Sequence, residues 1–258
     1  MSWNLRFIGV GSSQAPELGS ACGVLEQDGR PLLMIDCGPE ALSSYLAHYG
    51  DAPRAVYITH AHMDHVGGLE RLFYHVYFDP ELCGRVRLFF HAALAPILQG
   101  RLADYPDVVA DGNANFWDAF STVLVSRGFW HEGLWFDVFG TRHHAPNTSF
   151  GIALAGSFVW TGDTRPVPEM LAAYAAQGEL VAHDCALVGN PSHTGLADLE
   201  REYPAELRKR FAIYHYASVA DAAEMTAAGY RVAQRNEVIG LAAPARARAA
   251  MGTAPGTG

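Results

Sequence analysis

The chain has 258 residues, of which 50% are hydrophobic and 17% charged, and it carries a formal net charge of −9. That length allows one large domain or two small ones, and the composition is that of a globular chain able to bury a core. The acidic balance argues against long RNA or DNA as a partner, because phosphate contacts supply most nucleic-acid affinity, but it leaves small phosphate esters open.

No apolar run reaches the roughly 18 residues of a membrane helix. Residues 1–6 lack a basic segment followed by an apolar stretch. A cytoplasmic protein without a membrane partner is therefore expected. Cys22, Cys37, Cys83 and Cys185 form no C-x-x-C pair and are expected as free thiols. Twelve histidines direct the search to metal sites.

In chain order, residues 5–10 read as a strand and 11–20 as a Gly/Ser-rich loop. Short apolar runs at 22–26 and 32–35 flank a turn at 27–31. A helix is expected over 40–49 and a strand over 55–59. Leu69, Leu72, Phe73, Val76 and Tyr77 have helical spacing. A strand over 86–90 and a helix over 92–102 follow. Residues 104–135 are less regular and rich in aromatics, and 116–135 could be core, a lid or a dimer surface. Strands return at 134–139, 150–155 and 158–161, with a helix after Pro166. The pattern then predicts a strand over 180–184, helices over 196–202 and 204–210, a strand over 211–215 and a helix over 219–228. With no internal linker, 1–241 reads as one α/β domain. The Ala/Arg/Gly/Pro-rich tail 242–258 reads as disordered.

The run His60-Ala61-His62-Met63-Asp64-His65 places four potential donors in six residues just past a short apolar strand. Neutral imidazole and carboxylate are the usual donors for zinc and similar ions, and a strand-to-helix loop can aim them at one pocket.

His60-x-His62-x-Asp64-His65 followed by Gly67-Gly68 resembles the signature of the metallo-β-lactamase superfamily, and the resemblance extends to about residue 220. It implies an α/β fold built as a four-layer αβ/βα sandwich, with metals at one edge. Asp36 resembles the family's early aspartate, which supports the metal loop from behind the ligands. Asp163 in Thr161-Gly162-Asp163-Thr164 resembles the aspartate that bridges two ions, and His215 the last metal histidine. One further ligand lies before Ser149-Phe150-Gly151. Two adjacent candidates exist, His143 and His144; His144 is favoured, and His143 would then be a neighbour bonding behind the ligands. The implied set is His60, His62 and His144 on one ion, Asp64, His65 and His215 on the other, and Asp163 between. Two divalent ions are thus implied, zinc first, with manganese or iron as alternatives.

Val181-Ala182-His183-Asp184-Cys185-Ala186 and Ser192-His193-Thr194 resemble segments of the ribonuclease Z-like and small cyclic-phosphate phosphodiesterase branch. The resemblance makes Asp184 orient His193, and His193 serve the leaving oxygen. Asp64 counts among these catalytic groups as well as among the ligands. His183 reads as a core histidine first. No long basic insertion is present, so a small and possibly cyclic phosphodiester is the expected substrate, with a homodimer compatible. Competing readings are a lactonase or thioesterase of the same fold, and a non-catalytic metal-binding or sensory domain. His48, His75 and His131 read as structural or exposed, and His91 as either a strand-end or a pocket residue.

Overall fold

The computed structural model describes residues 1–103 and 114–245. Residues 104–113, and all but the first four positions of the expected tail, lie outside the described residues.

The first sheet comprises β1 (Trp3–Gly9), β2 (Cys22–Gln27), β3 (Arg30–Ile35), β4 (Ala55–Ile58), β5 (Val86–His91), β6 (Phe120–Val125) and β13 (Val238–Leu241), in the order β13-β1-β2-β3-β4-β5-β6. The second comprises β7 (Gly128–His131), β8 (Leu134–Gly140), β9 (Phe150–Leu154), β10 (Phe158–Trp160), β11 (Leu180–Asp184) and β12 (Phe211–Tyr214), in the order β12-β11-β10-β9-β8-β7. Strands β3 to β6 run parallel, and so do β10 to β12.

Parallel neighbours need crossovers over a sheet face. Here α1 (Ala41–Tyr49) links β3 to β4, and the short α2 (Met63–Val66) with α3 (Leu69–Tyr77) links β4 to β5. On the other side α5 (Pro168–Tyr174) joins β10 to β11, and α6 (Leu196–Glu202) with α7 (Ala205–Arg208) joins β11 to β12. The final helix, α8 (Val219–Ala227), precedes β13. The inner faces are filled by aromatic rings from both sheets, which leaves the outer faces to these helices. Phe7 meets Trp160 at 5.6 Å, and Phe129 stacks on Phe89 at 4.2 Å.

Two glycines permit close approach. A Cβ at Gly23 would lie 2.6 Å from the Trp160 ring. Gly23→Ala should therefore cost about 1–3 kcal/mol by overpacking, read as a lower Tm; an unchanged Tm would show that the ring can move. A Cβ at Gly68 would lie 2.3 Å from the Gly38 carbonyl, so the second glycine of the Gly67-Gly68 pair lets α3 start against the loop after β3.

Two expectations are corrected. The helix over 92–102 is broken into a 3₁₀ turn, a short α4 (Ala95–Leu98) and a π-helical turn, Gln99–Ala103. Pro96 lies in the first turn of α4, and the Gln99 side chain donates to the Ala103 carbonyl. The irregular stretch contains β6 and β7, whose short runs escape a search for longer periodicity. Its aromatics are mainly core: Phe116, Phe120 and Phe129 are buried, while Trp130 is 51% exposed. Strand β13, where the sequence pattern assigns no element, pairs antiparallel with β1.

Candidate metal centre

The parallel strands of both sheets point their C-terminal ends at one edge, where α/β sheets collect ligands. There the sheets are stitched together. The Phe150 N–H donates to the Thr59 carbonyl at 2.9 Å, and the His215 N–H to the Val10 carbonyl at 2.7 Å.

Asp36 follows β3 with a left-handed backbone, φ 63°. Its buried carboxylate accepts from the Thr59 N–H and hydroxyl, each at 2.8 Å, and lies 2.8 Å from His65 Nδ1. That bond places the His65 proton on Nδ1 and turns Nε2 toward the site. Helix α2 is one turn; the Val66 N–H donates back to the His62 carbonyl, and the turn presents Asp64 and His65 on one side. His60 Nδ1 lies 3.0 Å from the Thr59 hydroxyl, and its Nε2 lies 3.1 Å from His62 Nδ1.

Asp163, after β10, is the hub. Its carboxylate lies 3.3 Å from both His65 Nε2 and His215 Nε2, 3.5 Å from His60 Nε2 and 3.8 Å from His143 Nε2. Asp64 lies 3.6 Å from His65 Nε2 and 3.5 Å from His215 Nε2. Three donor groups result among the described residues: His60, His62, His143 and Asp163; Asp64, His65, Asp163 and His215; and Asp163, Asp184, His193 and His215.

The placement of His144 is corrected. His143 Nε2 lies 3.0 Å from His62 Nδ1, whereas His144 is exposed, with its ring 4.8 Å from that of His62 and its Nδ1 3.5 Å from the Ser192 hydroxyl. Residue 142 is anchored across to 165 beside Asp163, so the next side chain enters the cluster. His144 and Asn147 then adopt left-handed backbones, φ 52° and 62°. These turns take up chain length that a linear count assigns to His144.

Four buried polar atoms here have no hydrogen-bond partner in the protein: His65 Nε2, Asp163 Oδ1, Asp184 Oδ1 and His215 Nε2. Buried polar atoms are normally paired. These converge in groups of imidazole and carboxylate, so the donor set fits divalent cations. The charges agree. Burial would raise the Asp163 carboxyl, but His215, His65 and His60 hold it well below the usual range. Burial disfavours charge on His215, yet Asp163 and Asp64 outweigh it and push the imidazole up to about 9. Burial, with His65 next, keeps His60 well below the ordinary histidine value, as a neutral ligand requires.

Beside the cluster, His193 Nδ1 donates to Asp184 Oδ2 at 2.9 Å, and the Thr164 N–H donates to the same oxygen at 2.8 Å. The His193 ring stacks on His215 at 4.9 Å. Burial lowers the His193 pKa, but the Asp184 bond and charge outweigh it, and the net direction is up. His62, Asp64, Asp163, His193 and His215 all line one cleft of about 590 Å³, with Ser12, Ser13 and Gln14 on its wall. Those loop residues carried no sequence signal beyond turn composition.

His183 is a core histidine. Its Nδ1–H donates to the Asp184 carbonyl and its Nε2 accepts from the Tyr203 hydroxyl, at 2.6 and 2.8 Å. Burial pushes its pKa from 6.5 to about 4. The folded protein thus binds fewer protons than the unfolded chain between those values. Stability from this group is full above 6.5 and is lost as pH falls toward 4, by about 3 kcal/mol at most. His183→Phe should shrink the difference in Tm between pH 7 and pH 5; an unchanged difference would contradict this. His91 stacks on Phe150 at 3.7 Å and caps the turn after β5, and does not line the cleft.

Among the described residues, no helix is long and apolar enough to cross a membrane, and all four cysteines are free. A family model described as "Anti-Pycsar protein Apyc1" matches residues 3–239. A protein of that description from Saccharibacillus brassicae is 31% identical over 224 residues, covering 83% of this chain and 90% of the relative. The metallo-β-lactamase fold protein YhfI of Bacillus subtilis superposes with a TM-score of 0.71 at 13% identity, over 93% of this chain and 100% of that one. A diphosphatase from the PhnP family gives 0.70 at 16% identity, over 93% and 97%. The fold is therefore the αβ/βα sandwich of the metallo-β-lactamase proteins, as the signature implied.

Proposed function

The chain belongs to the Anti-Pycsar protein Apyc1 family, and from that premise we propose that it is a metal-dependent phosphodiesterase acting on a small cyclic phosphodiester of the cyclic-nucleotide class. Residues 1–241 would form a single catalytic domain. His60, His62 and His143 would hold one cation, Asp64, His65 and His215 a second, and Asp163 would serve both. Zinc suits this oxygen- and imidazole-rich set, as do manganese and iron. When bound, such cations supply Lewis acidity and an activated water at neutral pH.

The observation that carries the substrate class is the Asp184–His193 pair on the wall of the same cleft as Asp163. Asp184 is held by the Thr164 N–H and keeps the His193 proton on Nδ1, directing Nε2 away from the carboxylate. A protonated Nε2 donates to the departing ester oxygen, and the imidazolium stabilises the phosphate charge. Acyl substrates with thiolate leaving groups have less use for such a donor. The cleft volume suits a mononucleotide, and the chain's acidic charge disfavours a polyanionic one.

Metal-replete protein should open 3′,5′-cyclic nucleotides to monoesters, and a chelator should stop it. Turnover confined to an acyl lactone or a thioester would overturn the reading in favour of a different hydrolase. Inertness toward every ester would favour a metal-binding module.

A further inference from the structure

A second cavity of about 210 Å³ adjoins the first, with His62 and His144 lining both. Its other walls are His60 and His143 of the donor cluster, Thr148, Ala61, Ile97, Ala145 and Arg101. That volume equals about seven liquid waters at ~30 Å³ each, the scale of one heteroaromatic ring rather than a whole nucleotide.

Resting on the function proposed above, we propose that this side cavity is the nucleobase subsite and that Arg101 is its specificity-determining residue. The walls are mixed in the way a base requires. Ile97, Ala61 and Ala145 offer apolar contact to a ring, and Arg101 offers a planar fork of donors to ring carbonyls and nitrogens.

The backbone supports the assignment. Arg101 lies in the middle of the π-helical turn Gln99–Ala103, a form frequent at functional sites. The Gln99 amide nitrogen donates to the Ala103 carbonyl at 2.9 Å, and its oxygen accepts from the Trp117 indole at 2.8 Å. The turn is thereby closed and tied to the neighbouring Phe116–Ala119 segment. The Arg101 side chain is exposed at the cavity wall. At the shared rim, His144 is turned out of the donor cluster by its left-handed backbone, so it can flank a ligand that reaches from one cavity into the other.

The test compares a cyclic nucleotide with methyl 4-nitrophenyl phosphate, a diester without a base. In Arg101→Ala, the ratio of kcat/KM for the cyclic nucleotide to that for the baseless diester should fall at least ~10-fold, as expected for a lost charged hydrogen bond, and mainly through KM. Ile97→Trp, which fills the cavity from its apolar side, should lower the same ratio. A ratio unchanged in both variants overturns the subsite. Equal losses on both diesters in Arg101→Ala also overturn it, by placing Arg101 on the phosphate. A wild type that turns over neither diester instead defeats the phosphodiesterase reading, and the subsite with it. A wild type active on the baseless diester alone defeats the cyclic-nucleotide class together with the subsite, and leaves phosphodiester cleavage standing.

Discussion

Replacing Asp163 by alanine is expected to strip the protein of most of its metal and nearly all of its turnover. Asp163 is the only residue common to all three groups of converging donors, and its carboxylate approaches His60, His65, His143 and His215 within 3.8 Å. Without it, both sets of donors would lose the carboxylate they share. Turnover should fall by at least the ~10²–10³-fold typical of removing one group that stabilises developing charge. The fold should persist, because Asp163 Oδ1 makes no hydrogen bond and His65 keeps its bond to Asp36. Elemental analysis and circular dichroism together decide. Two ions still bound per chain would refute the shared-ligand assignment, and loss of the folded spectrum would show that Asp163 is needed for structure.

The second large effect is expected from His193→Ala. Turnover of a cyclic nucleotide should drop by about 10²–10⁴-fold, the range for an acid–base group, with metal content intact. The loss should be smaller for a 4-nitrophenyl ester, whose leaving oxygen needs less help from a proton. This contrast separates a proton donor from a ligand. His193 also converges with Asp163, Asp184 and His215, so loss of an ion in this variant would move it into the donor set instead. Unchanged turnover with both ions bound would remove it from the chemistry.

Much of this site was legible before any coordinates. The His60–His65 run advertises itself, because four donors in six residues have few other uses. Asp36, Asp163, Asp184 and His215 lie at or just past strand ends, where a short apolar run followed by a polar residue is easy to see. The choice between His143 and His144 was not legible, because it depends on two left-handed residues, His144 and Asn147, that no spacing rule anticipates. Strands β6 and β7 were missed because each is short and their stretch is dominated by aromatics, several of which, such as Phe129, serve the core between the sheets. Arg101 carried no signal at all; a continuous helix over 92–102 would place it differently from the π-helical turn that is present.

The donors are drawn from both halves of the sandwich. His60, His62, Asp64 and His65 follow β4 of one sheet, while Asp163 and His215 follow β10 and β12 of the other. Any cation held between them is thus a rivet through the domain as well as a reagent. Its binding free energy enters the cohesion of the two sheets, by the mass-action linkage that ties ligand concentration to folded population. Scarcity of metal would then affect how long the molecule lasts as well as how fast it works, and a depleted cell would hold fewer copies rather than a reservoir of idle ones.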